Sequence, residues 1–209
     1  MSGTRSAAVA GVKRKREAGK PERRTTKSRS HQTASTKDVE DPQANILRFE
    51  SEILESRKNY NNIAVLIQFS KSEENESETS ILAVVALCRV FTRLLSTGDM
   101  VKNKGMAEAE KMIVSWLRER YREYTQVLLD HFLRSEHAPK QSVALTLLLR
   151  LLKEESKAQK DFSLKSSMLP QIVEALLLQQ EDNVARDEFA AKYFGTFDDI
   201  RYYTFRTIK

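Results

Sequence analysis

The chain reads as an all-α protein, a HEAT- or armadillo-like α-solenoid or an irregular helical array behind a disordered basic N-terminal tail. Three observations carry this. Only six Gly and four Pro occur in 209 residues, so breakers are scarce. From residue 38 onward apolar residues recur at steps of three and four, the period of a helix and not of a strand. The first 37 residues carry eleven Lys or Arg against two acids, Glu17 and Glu22, a net of +9, while residues 38–209 hold 24 basic and 27 acidic residues, a net of −3. All net positive charge therefore sits in an arm without apolar periodicity, and a near-neutral, Leu-rich body follows.

Residues 1–40 form the first segment. They mix Ser, Thr, Gly, Lys and Arg without large apolar side chains, too little to offset chain entropy, so this segment is expected to be disordered. Residues 41–209 form the helical domain. Asp41-Pro42 opens it as cap and first turn. Ile46, Leu47, Phe49, Ile53 and Leu54 follow at helical spacing, and Tyr60, Ile63, Ala64, Leu66 and Ile67 form a second set: one bent helix or two short ones. Residues 71–80 are a polar connection whose Ser and Glu suit the start of the next helix. Ile81, Leu82, Val85, Cys88, Phe91, Leu94 and Leu95 then repeat until Thr97-Gly98.

Residues 107–133 are a long amphipathic stretch with Ile113, Trp116, Leu117, Tyr121, Tyr124, Leu128 and Phe132. From Pro139, Val143, Leu145, Leu147, Leu148, Leu149, Leu151 and Leu152 make a helix apolar on nearly every side, which belongs in the middle of a stack. Residues 153–165 read as a polar connection. Pro170 opens a helix with Ile172, Val173, Leu176 and Leu177, and residues 182–194 make a shorter one ending at Gly195. Asp198 or Asp199 caps a last segment, 200–208, still periodic at Lys209 and so expected to continue in a longer chain. Successive pairs about 40 residues apart fit paired-helix repeats, although the units share little identity.

A single cysteine excludes an internal disulfide framework and fits a reducing compartment. Residues 7–12 are too short for a signal peptide, and the longest apolar runs, 81–88 and 147–149, fall short of the roughly 20 residues a bilayer needs. The expectation is a soluble intracellular protein with no membrane partner.

Lys13-Arg14-Lys15-Arg16 followed by Arg23-Arg24 is the strongest linear motif. Such a cationic run on a flexible chain suits the acidic groove of an import receptor, and it can also neutralise RNA phosphates. Trp116, Tyr121 and Tyr124 with Arg118, Arg120 and Arg122 have the composition of a stacking surface. Helical spacing puts Trp116, Tyr124 and Leu128 on one stripe, which reads as core, and leaves the arginines solvated or paired with Glu119 and Glu123. His31, His131 and His137 do not have metal-ligand spacing; His131 reads as a partly buried helix residue. Cys88, between Val85 and Phe91, reads as a small buried hydrophobe. Glu73, Glu74, Glu76 and Glu78 read as a solvated acidic loop. With no phosphate-binding glycine loop and no nucleophile elbow, the sequence carries no catalytic, cofactor-binding or small-molecule signature. It reads as a non-enzyme.

Three stretches carry a resemblance. Ile81-Leu82-Ala83-Val84-Val85 with Cys88-Arg89-Val90-Phe91 and Leu94-Leu95 is one. Val114-Ser115-Trp116-Leu117-Arg118-Glu119-Arg120-Tyr121 running into Pro139-Lys140-Gln141-Ser142-Val143-Ala144-Leu145 is the second. Phe197-Asp198-Asp199-Ile200-Arg201-Tyr202-Tyr203-Thr204 is the third. Residues 45–209 resemble the N-terminal portion of the fourth nucleolar complex protein, of the CCAAT-binding-factor-like nucleolar assembly factors. The resemblance implies a nuclear, nucleolar assembly factor for the small ribosomal subunit that supports pre-ribosomal RNA processing and subunit export. It also implies nucleolar protein fourteen as a partner, bound through a C-terminal domain outside this sequence. On this reading Lys13, Arg14, Lys15, Arg16, Arg23 and Arg24 serve import and RNA contact. Asp198, Asp199 and Arg201 are partner-docking candidates, set against a plain helix start with an internal ion pair. Two rivals stand beside it. One is a body that grips RNA itself, which the −3 charge disfavours; the other is an armadillo-like nuclear adaptor unrelated to ribosomes.

Overall fold

The computed structural model describes residues 41–72, 77–159, 162–178 and 183–208. Among them are eight α-helices and no strand: α1 Pro42–Glu55, α2 Asn62–Lys71, α3 Ser77–Thr97, α4 Glu108–Val127, α5 Ala138–Ala158, α6 Leu169–Leu178, α7 Val184–Phe189 and α8 Asp198–Ile208. The expected basic tail, including its import motif, lies outside the described residues, as do Glu73, Glu74 and Glu76 of the acidic loop.

Local chemistry explains most boundaries. Asp41 Oδ1 accepts from Gln43 N at 3.0 Å with Pro42 in the first turn, so α1 starts where its cap predicts. A 3₁₀ turn at Arg57–Asn59 separates α1 from α2, which settles the alternatives in favour of two short helices. Helix α3 ends in a Schellman motif: Asp99 N donates to Leu94 O at 3.1 Å and Gly98 N to Leu95 O at 3.2 Å, with Gly98 at φ +76°. Helix α4 passes directly into a π-helical turn, Leu128–Leu133, and α7 into another, Ala190–Phe194.

Three sequence expectations are corrected. Residues 153–158 are helical, not a connection: Lys, Glu and Ala are strong helix formers, and Lys157 pairs with Glu154 at 2.8 Å one turn away. Asp198 and Asp199 lie inside the first turn of α8 instead of capping it; there they face the positive end of the helix dipole. The third concerns length of apolar chain. Residues Glu78–Thr97 are long and apolar enough to cross a membrane by length and composition: although Arg89, Thr92 and Arg93 interrupt the apolar run, the mean hydropathy stays at 1.6. Burial accounts for that composition, since α3 packs against α1, α2 and α5.

Packing follows an i, i+2 rule. Helix α3 packs against α1 and α5, and α5 against α7; α2 packs against α4, the π turn of α4 against α6, and α6 against α8. Odd-numbered helices thus make one layer and even-numbered helices the other, which is the two-layer geometry of an α-solenoid. Helix α5 buries Leu145, Leu147, Leu148, Leu149, Leu151 and Leu152 between α3, α7 and the π turn. Its all-round apolar surface is explained by that central place. Between the layers Phe91 of α3 meets Tyr124 of α4 in a stacked pair with centroids 5.3 Å apart, and Tyr121 edge-on at 5.2 Å.

Candidate docking surfaces

The six basic residues proposed for import and RNA contact lie outside the described residues. The other three are visible. Arg201 pairs with Asp198 one turn away on the exposed start of α8, and Asp199 Oδ1 accepts from Ile200 N at 2.8 Å. The internal ion pair is therefore real. Asp199 also lines a groove of about 580 Å³, as does Lys153. Leu149 and Leu152 of α5, Phe162, and Tyr193, Phe197 and Tyr203 around the start of α8 line its wall. Its lining is mostly apolar and includes one charge of each sign, Lys153 and Asp199. Asp198 and Arg201 do not line it, so the structure divides the predicted trio.

A second apolar surface lies between α6, α7 and α8. Leu177, Phe189, Phe194, Phe205 and Ile208 line a shallow groove there, and Leu177, Phe205 and Ile208 are exposed. Sequence periodicity marks these positions as apolar but cannot tell a covered stripe from an uncovered one.

A third groove, of about 460 Å³, is polar. Arg122, Thr125, Gln126, Gln159, Ser163 and Ser166 line it beside Glu155. Tyr121 OH donates to Glu155 Oε1 at 2.8 Å. Burial pushes the Glu155 carboxyl above its ordinary value, and the Tyr121 hydrogen bond lowers it in part. Burial, then the Glu155 charge, pushes the Tyr121 phenol up.

The remaining chemistry-bearing residues are quiet. Cys88 is buried, and desolvation pushes its thiol up, which suits a structural hydrophobe. His131 is exposed in the π turn instead of partly buried, since the wider turn rotates it outward while Leu128, Leu129, Phe132 and Leu133 stay in. Trp116 is half-buried and packs against the edge of the core, with the Arg120 guanidinium 5.8 Å from its ring centroid. Arg120 also pairs with Glu119 at 3.3 Å and Glu123 at 2.5 Å, and Arg118 Nε donates to Met100 O at 2.8 Å. Among the described residues no group of three or more His, Cys, Asp or Glu could hold a metal ion.

Comparison with known proteins agrees with this architecture. An uncharacterized protein of Schizosaccharomyces pombe is 28% identical over 162 residues, which cover 77% of this chain and 33% of that protein. The chain thus spans about a third of that relative's length. No solved structure matches. A family model described as nucleolar complex protein 4-like, TPR repeats, matches residues 35–209, the helical body and the few residues before it. The paired helices are of TPR kind, a helix–turn–helix repeat that sequence spacing alone does not separate from HEAT or armadillo units. With two stacked helical layers and this match over most of its length, the chain belongs to the nucleolar complex protein 4-like family of TPR-repeat proteins.

Proposed function

We propose that the chain is a non-enzymatic assembly factor for the small ribosomal subunit, a helical scaffold of the nucleolar pre-ribosomal particle that supports pre-ribosomal RNA processing, maturation and export. The observation that carries this is the family match across a body made of stacked helical repeats. TPR-type solenoids present long ridges and grooves to protein partners, and the surfaces of this body are of that kind. In the whole protein the partner set includes other nucleolar assembly factors, with nucleolar protein fourteen among them. The arm with Lys13, Arg14, Lys15, Arg16, Arg23 and Arg24 serves an import receptor and loose phosphate contact with pre-ribosomal RNA. Asp199 of the α5–α8 groove serves docking, whereas Asp198 and Arg201 hold the start of α8.

Affinity purification of the tagged protein tests this. Early small-subunit assembly factors and U3 small nucleolar RNA are expected to co-purify. Recovery of large-subunit precursors alone, or of no pre-ribosomal particle, refutes the assignment. Replacing the six tail cations with Gln is expected to move the protein out of the nucleolus without altering the folded body; unchanged localisation removes the import role.

A further inference from the structure

Helix α4 carries an exposed apolar patch that the packing of the solenoid does not explain. Met112 is 67% exposed and Ile113 43% exposed, and Trp116 stands half-buried one turn further on. With Tyr60, Arg57 and Lys58 from the turn between α1 and α2, they line a groove of about 320 Å³. The walls are aliphatic and aromatic. The charged groups at the mouth are both cations, and no carboxylate lines the groove. Arg57 pairs with Asp99 on one side but its side chain is two-thirds exposed, and Lys58 has no ion partner among the described residues. The neighbouring cleft brings Asn103 and Met106 up to Arg57, and its two carboxylates, Asp99 and Glu110, face that cleft and do not line this groove.

We propose that this groove docks an acidic peptide segment of a partner protein, with one bulky apolar side chain seated on Met112, Ile113 and Trp116 and flanking carboxylates over Lys58 and Arg57. Charge complementarity selects the occupant: a slot with an apolar floor and a cationic rim rewards an apolar anchor between acids and repels a basic segment. Met, Trp and Arg are also the residue types enriched in docking surfaces, and apolar anchors in such pockets carry most of the binding energy. RNA fits less well. Base stacking needs a free aromatic face, but Arg120 lies over the Trp116 ring and Tyr60 is only 9% exposed. The inference rests on the body acting as a docking scaffold, and it names the chemistry of one partner.

The chain holds a single tryptophan, so Trp116 reports on its own groove. The experiment pans a phage-displayed random dodecapeptide library against the full-length chain and titrates the best synthetic peptide by fluorescence anisotropy and Trp116 emission. Enrichment of a bulky apolar residue flanked by Asp or Glu is expected, together with a blue shift of Trp116. Met112→Glu and Lys58→Glu are each expected to weaken binding at least about tenfold, since a like charge on the rim or floor opposes an acidic ligand. Both side chains are exposed, and unchanged circular dichroism checks that the fold is kept. Replacement of Lys13, Arg14, Lys15 and Arg16 with Gln is expected to leave the affinity alone. No enrichment, a basic or uncharged consensus, peptide binding lost with the tail cations, or competition by a single-stranded RNA oligonucleotide each overturns the proposal. A peptide bound here by a chain that fails to purify with pre-ribosomal particles upholds the groove and removes only its nucleolar setting. Particles recovered with no peptide bound remove the groove alone.

Discussion

Tyr124 joins the two layers, and replacing it separates packing from hydrogen bonding. Its ring is fully buried and stacked on Phe91, and its hydroxyl donates to Val84 O at 2.7 Å across the α3–α4 contact. Val84 lies in the middle of α3, where its carbonyl already accepts a helical N–H, so Tyr124→Phe leaves no buried acceptor empty. The loss is then that of one ordinary hydrogen bond, about 1 kcal/mol. Tyr124→Ala removes the ring too and leaves a cavity against Phe91, for a loss of about 3–5 kcal/mol. For a folded body of this size each kcal/mol moves the thermal midpoint by about 2–4 °C, so Tyr124→Phe is expected to melt about 3 °C and Tyr124→Ala about 6–20 °C below the parent. Urea titration and thermal melts followed by far-ultraviolet circular dichroism read both. Equal losses for the two variants would refute the claim that the ring, and not the hydroxyl, holds the layers; a loss below about 1 kcal/mol for Tyr124→Ala would refute the interlayer core itself.

Three further outcomes are expected. Glu50, 9% exposed on α1, receives both Arg89 Nε and Nη2 of α3 at 2.5 Å; a double-mutant cycle with Glu50→Gln and Arg89→Met should give a coupling of about 1 kcal/mol, reduced by the partial exposure of Arg89, and a coupling near zero denies the pair any role in α1–α3 docking. Because the folded Glu155 carboxyl titrates above the unfolded one, the folded state binds the extra proton, and stability falls as pH rises from the unfolded value of about 4.3 through the raised folded value. Glu155→Gln keeps an acceptor for Tyr121 OH, so it should raise the thermal midpoint at pH 7 and converge with the parent below about pH 4; a pH-independent difference rules out the buried charge as its source. Gly98→Ala should lose about 1 kcal/mol through its φ of +76°, with no heavy atom within 4 Å of the added methyl, and Gly98→Asn should lose less; equal tolerance of both, seen in thermal melts, would mean that the Schellman turn is not needed.

Helix identity, the central place of α5 and the stop at Gly98 were legible in the sequence, because each depends on local period, cap chemistry or glycine's freedom at positive φ. Those signals are short-ranged and survive without knowledge of neighbours. The family resemblance was legible for the same reason: Trp116-Leu117-Arg118-Glu119-Arg120-Tyr121 and Phe197-Asp198-Asp199-Ile200-Arg201-Tyr202-Tyr203 stand in order along the chain. What the tertiary structure alone decided is which apolar residue stays uncovered. Trp116 and Tyr124 share one stripe of α4, yet Tyr124 meets Phe91 while Trp116 reaches the rim beside Arg57 and Lys58. Asp198 and Asp199 are adjacent, yet only Asp199 faces the α5–α8 groove. Local period sets the face of a helix on which a side chain lies, but exposure depends on where the next layer ends, and that is a property of helices brought together from distant parts of the chain.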